Sequence, residues 1–194
     1  MPSFCSISPP VPCRNKDGVE NLGIGNCKRS RSGCVNVNKW RLDSYVEKYV
    51  NSTGNINHLS IDIEGYDETA LQSASKILDR VEYLEFEYNW MGKWGKAKLS
   101  DTIEMLNNAR FTCYWIGNDE LWRITDCFHE YYNKHFWSNV GCAHRTLAPQ
   151  VLNNMEDLFQ QTLTQITSTL SYVTAEYDIQ NDIQYMKRLR QMEE

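Results

Sequence analysis

Residues 57–67 combine an alternating apolar pattern with an acidic end. Leu59, Ile61 and Ile63 alternate with polar residues, and this period of two with β-branched side chains predicts a strand. Gly65 allows the chain to leave that strand in a tight turn. The apolar residues that follow recur at helical spacing, namely Ala70, Leu71, Ala74, Ile77 and Leu78. The pattern therefore predicts a strand, an acidic turn and a helix.

A second strand is predicted for residues 81–88, which follow the helix predicted at 67–78. A strand, a helix of about a dozen residues and another strand form a right-handed βαβ unit with parallel strands. Residue 100 or 101 starts the next predicted helix. Residues 111–117 and 121–126 are two further strands, and a turn this short between them makes them antiparallel. The sequence predicts a parallel α/β sheet that ends in an antiparallel hairpin.

The chain divides into three predicted parts, and the sheet lies in the middle one. Residues 1–33 are rich in proline and glycine without periodicity, which predicts an irregular N-terminal segment. Residues 34–146 form the predicted α/β domain, and residues 147–194 a helical extension. The extension carries a heptad seam through Phe159, Leu163, Ile166, Leu170, Val173 and Tyr177. This seam fits either helices packed on the domain or a homodimer arm through residues 150–190.

Composition and cysteine spacing limit the kinds of partner and ligand that the sequence predicts. The net charge of −5 argues against nucleic acid, because phosphate binding needs a basic surface. No apolar run reaches the length of a membrane span. The seven cysteines include no C-x-x-C pair, so zinc is not predicted. Most are expected to be reduced thiols, with Cys113 in the core, and the cytoplasm is the favoured compartment. Pairing of Cys27 with Cys34 stays open.

Asp62 and Glu64 are the candidate catalytic residues. They are two apart, so on an extended strand both side chains would point to the same face. The carboxyl ends of strands in an α/β sheet face the ligand crevice. Two close carboxylates can bind a metal, share a proton or orient a hydroxyl for deprotonation. The alternative is a helix cap beside a solvated acid, and Asp67 and Glu68 lie where a helix N-terminus favours negative charge.

The neighbouring strand supplies the candidate substrate-binding residues. Glu87 and Tyr88 end that strand, so they are expected near the same crevice. Trp90 and Trp94 lie in the loop that follows, where they would form an apolar wall for a ligand. The four histidines have no spacing that indicates a metal pair, and no metal site is predicted.

Five segments carry a family resemblance: residues 42–45, 61–67, 85–88, 111–115 and 121–125. In the second of these, Asp62-Ile63-Glu64-Gly65-Tyr66-Asp67 matches a strand that ends in Asp-x-Glu-Gly-x-Glu. Together they resemble the FkbM family of S-adenosylmethionine-dependent methyltransferases over residues 40–145, and residues 19–25 look like the segment just before. The resemblance implies a partial Rossmann-like sheet containing strands four to seven, and methyl transfer to a hydroxyl of a small molecule or sugar.

The same resemblance implies roles for the candidate residues. Asp62 would lie beside the reaction centre, where it orients the acceptor or helps to hold S-adenosylmethionine, and Glu64 would support it. Trp90 and Trp94 would line the acceptor pocket. The family builds its cofactor site in the first half of the domain, from a glycine-rich turn after the first strand. No such strand, turn and helix precedes residue 34, so the cofactor motif is not found.

This departure leaves three interpretations. The chain is a methyltransferase, or a fragment of one; or it is an inactive remnant that binds a partner through its helical tail. The third, glycoside hydrolysis, rests on the two carboxylates at 62 and 64 and ranks last, because an eight-stranded barrel needs about 250 residues. A sheet without its first half would expose an edge at the strand of Asp62, and the C-terminal helices are expected to cover it.

Overall fold

The computed structural model of the protein describes residues 40–50, 53–135 and 137–167. The elements in chain order are α1 (Leu42–Tyr49), β1 (Ile56–Ile61), α2 (Asp67–Ser73), β2 (Val81–Tyr88), α3 (Leu99–Asn108), β3 (Phe111–Ile116), β4 (Leu121–Arg123) and β5 (Ser138–His144). Two short 3-10 helices cover Leu78–Arg80 and Glu130–Asn133. A long helix, α4, is described from residue 149 to residue 167.

The five strands form one open sheet in the order β1-β2-β5-β3-β4. β1 and β2 are parallel, with Ile61 opposite Phe86, which confirms the predicted βαβ unit. β3 and β4 form the predicted antiparallel hairpin. β5 lies between β2 and β3 and runs antiparallel to both. The fold is therefore α/β with a partial methyltransferase-like sheet, in which most of the described strand pairs are antiparallel.

One face of the sheet packs against α2 and α3. Leu84, Phe86 and Tyr88 alternate along β2 and are fully buried, because successive strand residues point to opposite faces. Leu71 of α2 and Leu106 of α3 contribute to the same core. α2 ends at Ser73, before the predicted end at residue 78, and a turn and a 3-10 helix complete the connection to β2.

The opposite face of the sheet carries α4. Met155, Phe159 and Leu163 pack on Tyr114 and Leu121, so the described part of α4 covers the β3–β4 end of the sheet. The expectation that the C-terminal helices cover the edge at β1 stays a prediction, because residues 168–194 lie outside the described residues. The heptad seam is thus buried on the chain's own sheet as far as Leu163, and its members beyond residue 167 lie outside the described residues.

The expectation of reduced thiols is wrong for the three described cysteines, Cys113, Cys127 and Cys142, which are all disulfide-bonded. Cys113 of β3 and Cys142 of β5 form a disulfide. They are register partners on adjacent antiparallel strands, which brings their side chains together on one face. Both are fully buried, and the placement of Cys113 in the core is confirmed. Cys27 and Cys34 lie outside the described residues. Among the described helices, none is long and apolar enough to span a membrane.

Candidate active site

Asp62 and Glu64 lie in a turn and not on an extended strand. β1 ends at Ile61, and Glu64 has a left-handed backbone with φ 55°. The same-face argument for an extended strand therefore does not apply. Asp62 is exposed, whereas Glu64 is half-buried. The Oε2 atom of Glu64 is buried without a hydrogen-bond partner in the described part of the chain.

The loops after β1 and β2 are joined backbone to backbone beneath these acids. The Gly65 carbonyl accepts hydrogen bonds from the amides of Lys93 at 2.7 Å and Trp94 at 3.3 Å. A Cβ at Gly65 would lie 2.3 Å from the Met91 carbonyl oxygen, and one at Gly92 would lie 2.6 Å from the Gly65 oxygen. Both glycines also have positive φ, a conformation that glycine adopts without strain. The two loops thus form one platform.

Glu87, in β2, accepts hydrogen bonds from two side-chain donors. Trp137 donates its Nε1 proton to Oε1 of Glu87, and Asn89 donates from Nδ2 to Oε2 at 2.7 Å. Burial raises the pKa of Glu87, the two hydrogen bonds lower it, and the carboxylates of Asp62 and Glu64 raise it. Asp62 and Glu64 therefore lie within electrostatic range of Glu87, and the space around these acids, at the carboxyl ends of β1 and β2, is the candidate crevice.

Asp67 is the most deeply buried acid of the group. It is the first residue of α2, its side chain has 0% exposure, and neither carboxyl oxygen has a hydrogen-bond partner in the described structure. Burial raises its pKa to about 6, and the charge of Glu87 adds to the shift, against the opposing effect of nearby backbone amides. Asp67 is therefore a carboxyl group that can hold a proton close to neutral pH.

The crevice has an excess of negative charge. The ion pairs of the described residues join Arg41 to Asp43 and Arg123 to Asp126 and Glu156. None of them involves the four crevice acids, which are Asp62, Glu64, Asp67 and Glu87. Within the described ranges, no cluster of three or more His, Cys, Asp or Glu residues is arranged to hold a metal ion.

The aromatic candidates divide into surface and core. Trp90 is 56% exposed, whereas Tyr88 and Trp94 are fully buried. Trp94 donates its Nε1 proton to the Glu87 carbonyl oxygen at 2.8 Å, and Tyr88 donates to the Asn133 carbonyl oxygen at 3.0 Å. Tyr88 and Trp94 are thus core residues, whereas Glu87 is half-buried and Trp90 is exposed among the predicted substrate-binding residues.

Three residues of the crevice were not among the predicted site residues: Asp67, Asn89 and Trp137. The sequence indicates only that Asp67 is an acid at a helix N-terminus, and nothing in the local pattern indicates its burial. Asn89 directly follows β2, a position that marks the crevice end of a strand. Trp137 lies about fifty residues away from Glu87 in sequence, and only the position of β5 beside β2 brings it there.

Comparison with known protein families supports the resemblance that the sequence carries. The family model described as the methyltransferase FkbM domain matches residues 12–113, which is more than half of the 194-residue chain. The match begins before the described residues and runs through α1, β1, α2, β2 and α3 into β3. Neither curated proteins nor solved structures give a significant match. With the acidic strand ends that carried the resemblance now located in one crevice, the chain belongs to the FkbM methyltransferase family.

Proposed function

We propose that this protein transfers a methyl group from S-adenosylmethionine to a hydroxyl group of a small molecule or sugar. The observation that carries the proposal is the convergence of Asp62, Glu64, Asp67 and Glu87 at the carboxyl ends of two parallel strands, in a chain of the FkbM family. Ligands of α/β sheets bind at this end of the strands.

S-adenosylmethionine, when bound, supplies a methyl group activated by the positive charge on its sulfur. Asp62 fits such a group, because it is exposed and has no ion pair among the described residues. Gly65 and Gly92 are each packed against the backbone of the opposite loop, which leaves no space for a ligand beside them. They therefore do not supply a glycine cradle for the cofactor, and the described residues correspond to the acceptor side of the site.

The crevice acids provide what the acceptor needs. S-adenosylmethionine would supply the methyl group and keep the electron pair of the broken carbon–sulfur bond, and the acceptor oxygen would form the new bond to carbon. The hydroxyl proton must leave the oxygen, and Asp62 is the carboxylate that orients the hydroxyl and receives the proton. Glu64 supports it through its unpartnered Oε2. The remaining contribution to the rate is positioning.

The test is transfer of an isotope-labelled methyl group to a panel of hydroxylated small molecules and sugars, followed by mass spectrometry. Wild-type protein should label at least one acceptor class, and Asp62→Asn and Glu64→Gln should each lower the rate, about 100-fold for Asp62→Asn. Glu104→Gln, an exposed substitution on α3, is the matched control. No labelled product from wild-type protein, together with no heat on titration with S-adenosylmethionine, would overturn the proposal.

A second proposal concerns assembly, because α4 keeps exposed apolar side chains on its outer side. Val151 and Leu158 are exposed while Phe159 is buried. We propose a homodimer through residues 150–190, in which these two exposed side chains, and not the buried seam residues Phe159 and Leu163, form the contact. Light scattering after gel filtration tests it: Val151→Glu with Leu158→Glu should convert a dimer to a monomer. A monomeric wild-type protein would contradict it.

A further inference from the structure

Two exposed indole rings form a corner at the rim of the crevice. Trp90 and Trp137 are 56% and 40% exposed, and their ring centroids lie 5.2 Å apart at an interplanar angle of 88°. A perpendicular pair presents the face of one ring beside the edge of the other. Large exposed aromatic side chains that pack on each other at a crevice typically serve a ligand.

A carboxylate is fixed at this corner. Trp137 donates its indole proton to Oε1 of Glu87, and Asn89 donates to Oε2. Asn89 is itself fixed, because its Oδ1 accepts from the Met91 amide at 2.8 Å. The negative charge of Glu87 is therefore held next to the aromatic surface by fixed donors rather than on a freely rotating side chain.

The charge at the corner is not balanced by the described part of the protein. Asp62 and Glu64 add negative potential at Glu87, and no described ion pair reaches any of them. The fully buried Asp67 also lies within electrostatic range of Glu87 and has no hydrogen-bond partner in the described residues. A site with this excess of acid favours a positively charged ligand.

The aromatic cluster on α1 provides a contrast. Trp40 and Tyr49 also form an exposed edge-to-face pair. There, the chain supplies its own cation, because the Lys48 ammonium lies 4.8 Å from the Trp40 ring centroid and 5.1 Å from that of Tyr49. No cation–π contact of the described residues involves Trp90 or Trp137.

We infer that the corner formed by Trp90, Trp137 and Glu87 binds an organic ammonium group. Aromatic faces attract such cations through the ring quadrupole, and recognition of quaternary ammonium by aromatic residues is the common use of this interaction. Resting on the proposed function, this makes the methyl acceptor an amino alcohol or an amino sugar, whose ammonium binds at the corner while its hydroxyl faces Asp62.

The probe is choline, and the matched control ligand is 3,3-dimethylbutan-1-ol, its uncharged isostere. Binding is followed by calorimetry and by the indole N–H signals of the six tryptophans in NMR spectra. Choline should shift the Trp90 and Trp137 signals, and the uncharged alcohol should not. Trp90→Leu and Glu87→Gln should each weaken choline binding roughly three- to thirtyfold, whereas Trp40→Leu should leave it unchanged.

The outcomes separate this inference from the methyltransferase proposal. Choline binding at the two indoles without any methyl transfer would support the corner and count against the proposed reaction. Methyl transfer to neutral acceptors, with no choline binding, would overturn the corner alone. Equal shifts from choline and from its isostere would also overturn it, because they would make the corner a general apolar surface. Trp90 is exposed, so Trp90→Leu should fold even if Glu87→Gln does not.

Discussion

The buried carboxyl group of Asp67 lies within electrostatic range of Glu87, and neither residue has an ion-pair partner among the described residues. A carboxyl group in an apolar environment favours its protonated form. The charge of Glu87 raises the pKa of Asp67 further, because two nearby carboxyl groups cannot both ionise without a cost in free energy. The protonation state of Asp67 therefore affects both the stability of the fold and the charge of the candidate crevice.

Asp67→Asn should stabilise the protein at pH 8 and have much less effect at pH 4. The pKa of Asp67 is raised from 3.8 to about 6, so the folded state holds a proton that the unfolded state loses first. The protonated carboxyl therefore adds stability below pH 3.8 that is lost as the pH rises through about 6. A shift of about two units corresponds to roughly 3 kcal/mol. Urea unfolding of both proteins at the two pH values measures the difference. Equal effects at pH 4 and pH 8 would contradict the raised pKa.

Gly65→Ala should destabilise the protein by at least about 2 kcal/mol. The residue has φ 84°, and a Cβ would lie 2.3 Å from the Met91 carbonyl oxygen, which is backbone and cannot rotate away. Thermal or urea unfolding measures the loss. Gly117→Ala is the control, since the nearest atoms to its Cβ would be those of Glu120 at 3.3 Å. Similar losses of stability for both variants would show that the close contact between the two loops does not cause the destabilisation.

Cys113→Ala combined with Cys142→Ala should lower the free energy of unfolding by about 3 kcal/mol. The disulfide closes a loop with a sequence separation of 29, which restricts the unfolded chain. Denaturant unfolding of both proteins without reductant measures the difference. Dithiothreitol should lower the stability of wild-type protein by more than that of the double variant, in which only the bond of Cys127 remains among the described cysteines. Alkylation of both cysteines in folded, unreduced protein would contradict the bond.

Phe159→Ala should cost about 3 kcal/mol, whereas Leu158→Ala should cost less than about 0.5 kcal/mol. Phe159 is 6% exposed and packs edge to face on Tyr114, with ring centroids 6.4 Å apart. Its neighbour Leu158 is 39% exposed. Chemical unfolding of the two variants, at a protein concentration at which the chain is monomeric, compares a buried residue of α4 with its exposed neighbour. A small cost for Phe159→Ala would mean that α4 is not part of the folded core.

The strands were predictable because their patterns are local. The period of two at Leu59 and Ile61, and again at Leu84 and Phe86, follows from one buried face. The hairpin of β3 and β4 follows from a short polar turn. The parallel order of β1 and β2 follows from the helix between them.

The composition of the crevice was only partly predictable, because it depends on contacts between distant segments. The insertion of β5 between β2 and β3 brings Trp137 to Glu87, and strand order is not encoded in any single stretch. The Cys113–Cys142 bond depends on strand register.

The disulfide between β3 and β5 also has a consequence for the unfolded chain. Because it joins neighbouring strands, the segment between Cys113 and Cys142 is a covalent ring that contains β4 and the second 3-10 helix. Cys127 lies within this ring and is itself disulfide-bonded. In the unfolded, oxidised protein, residues 113 and 142 should therefore stay in contact, whereas full reduction should allow them to separate by up to about 100 Å, since 29 residues extend by about 3.5 Å each.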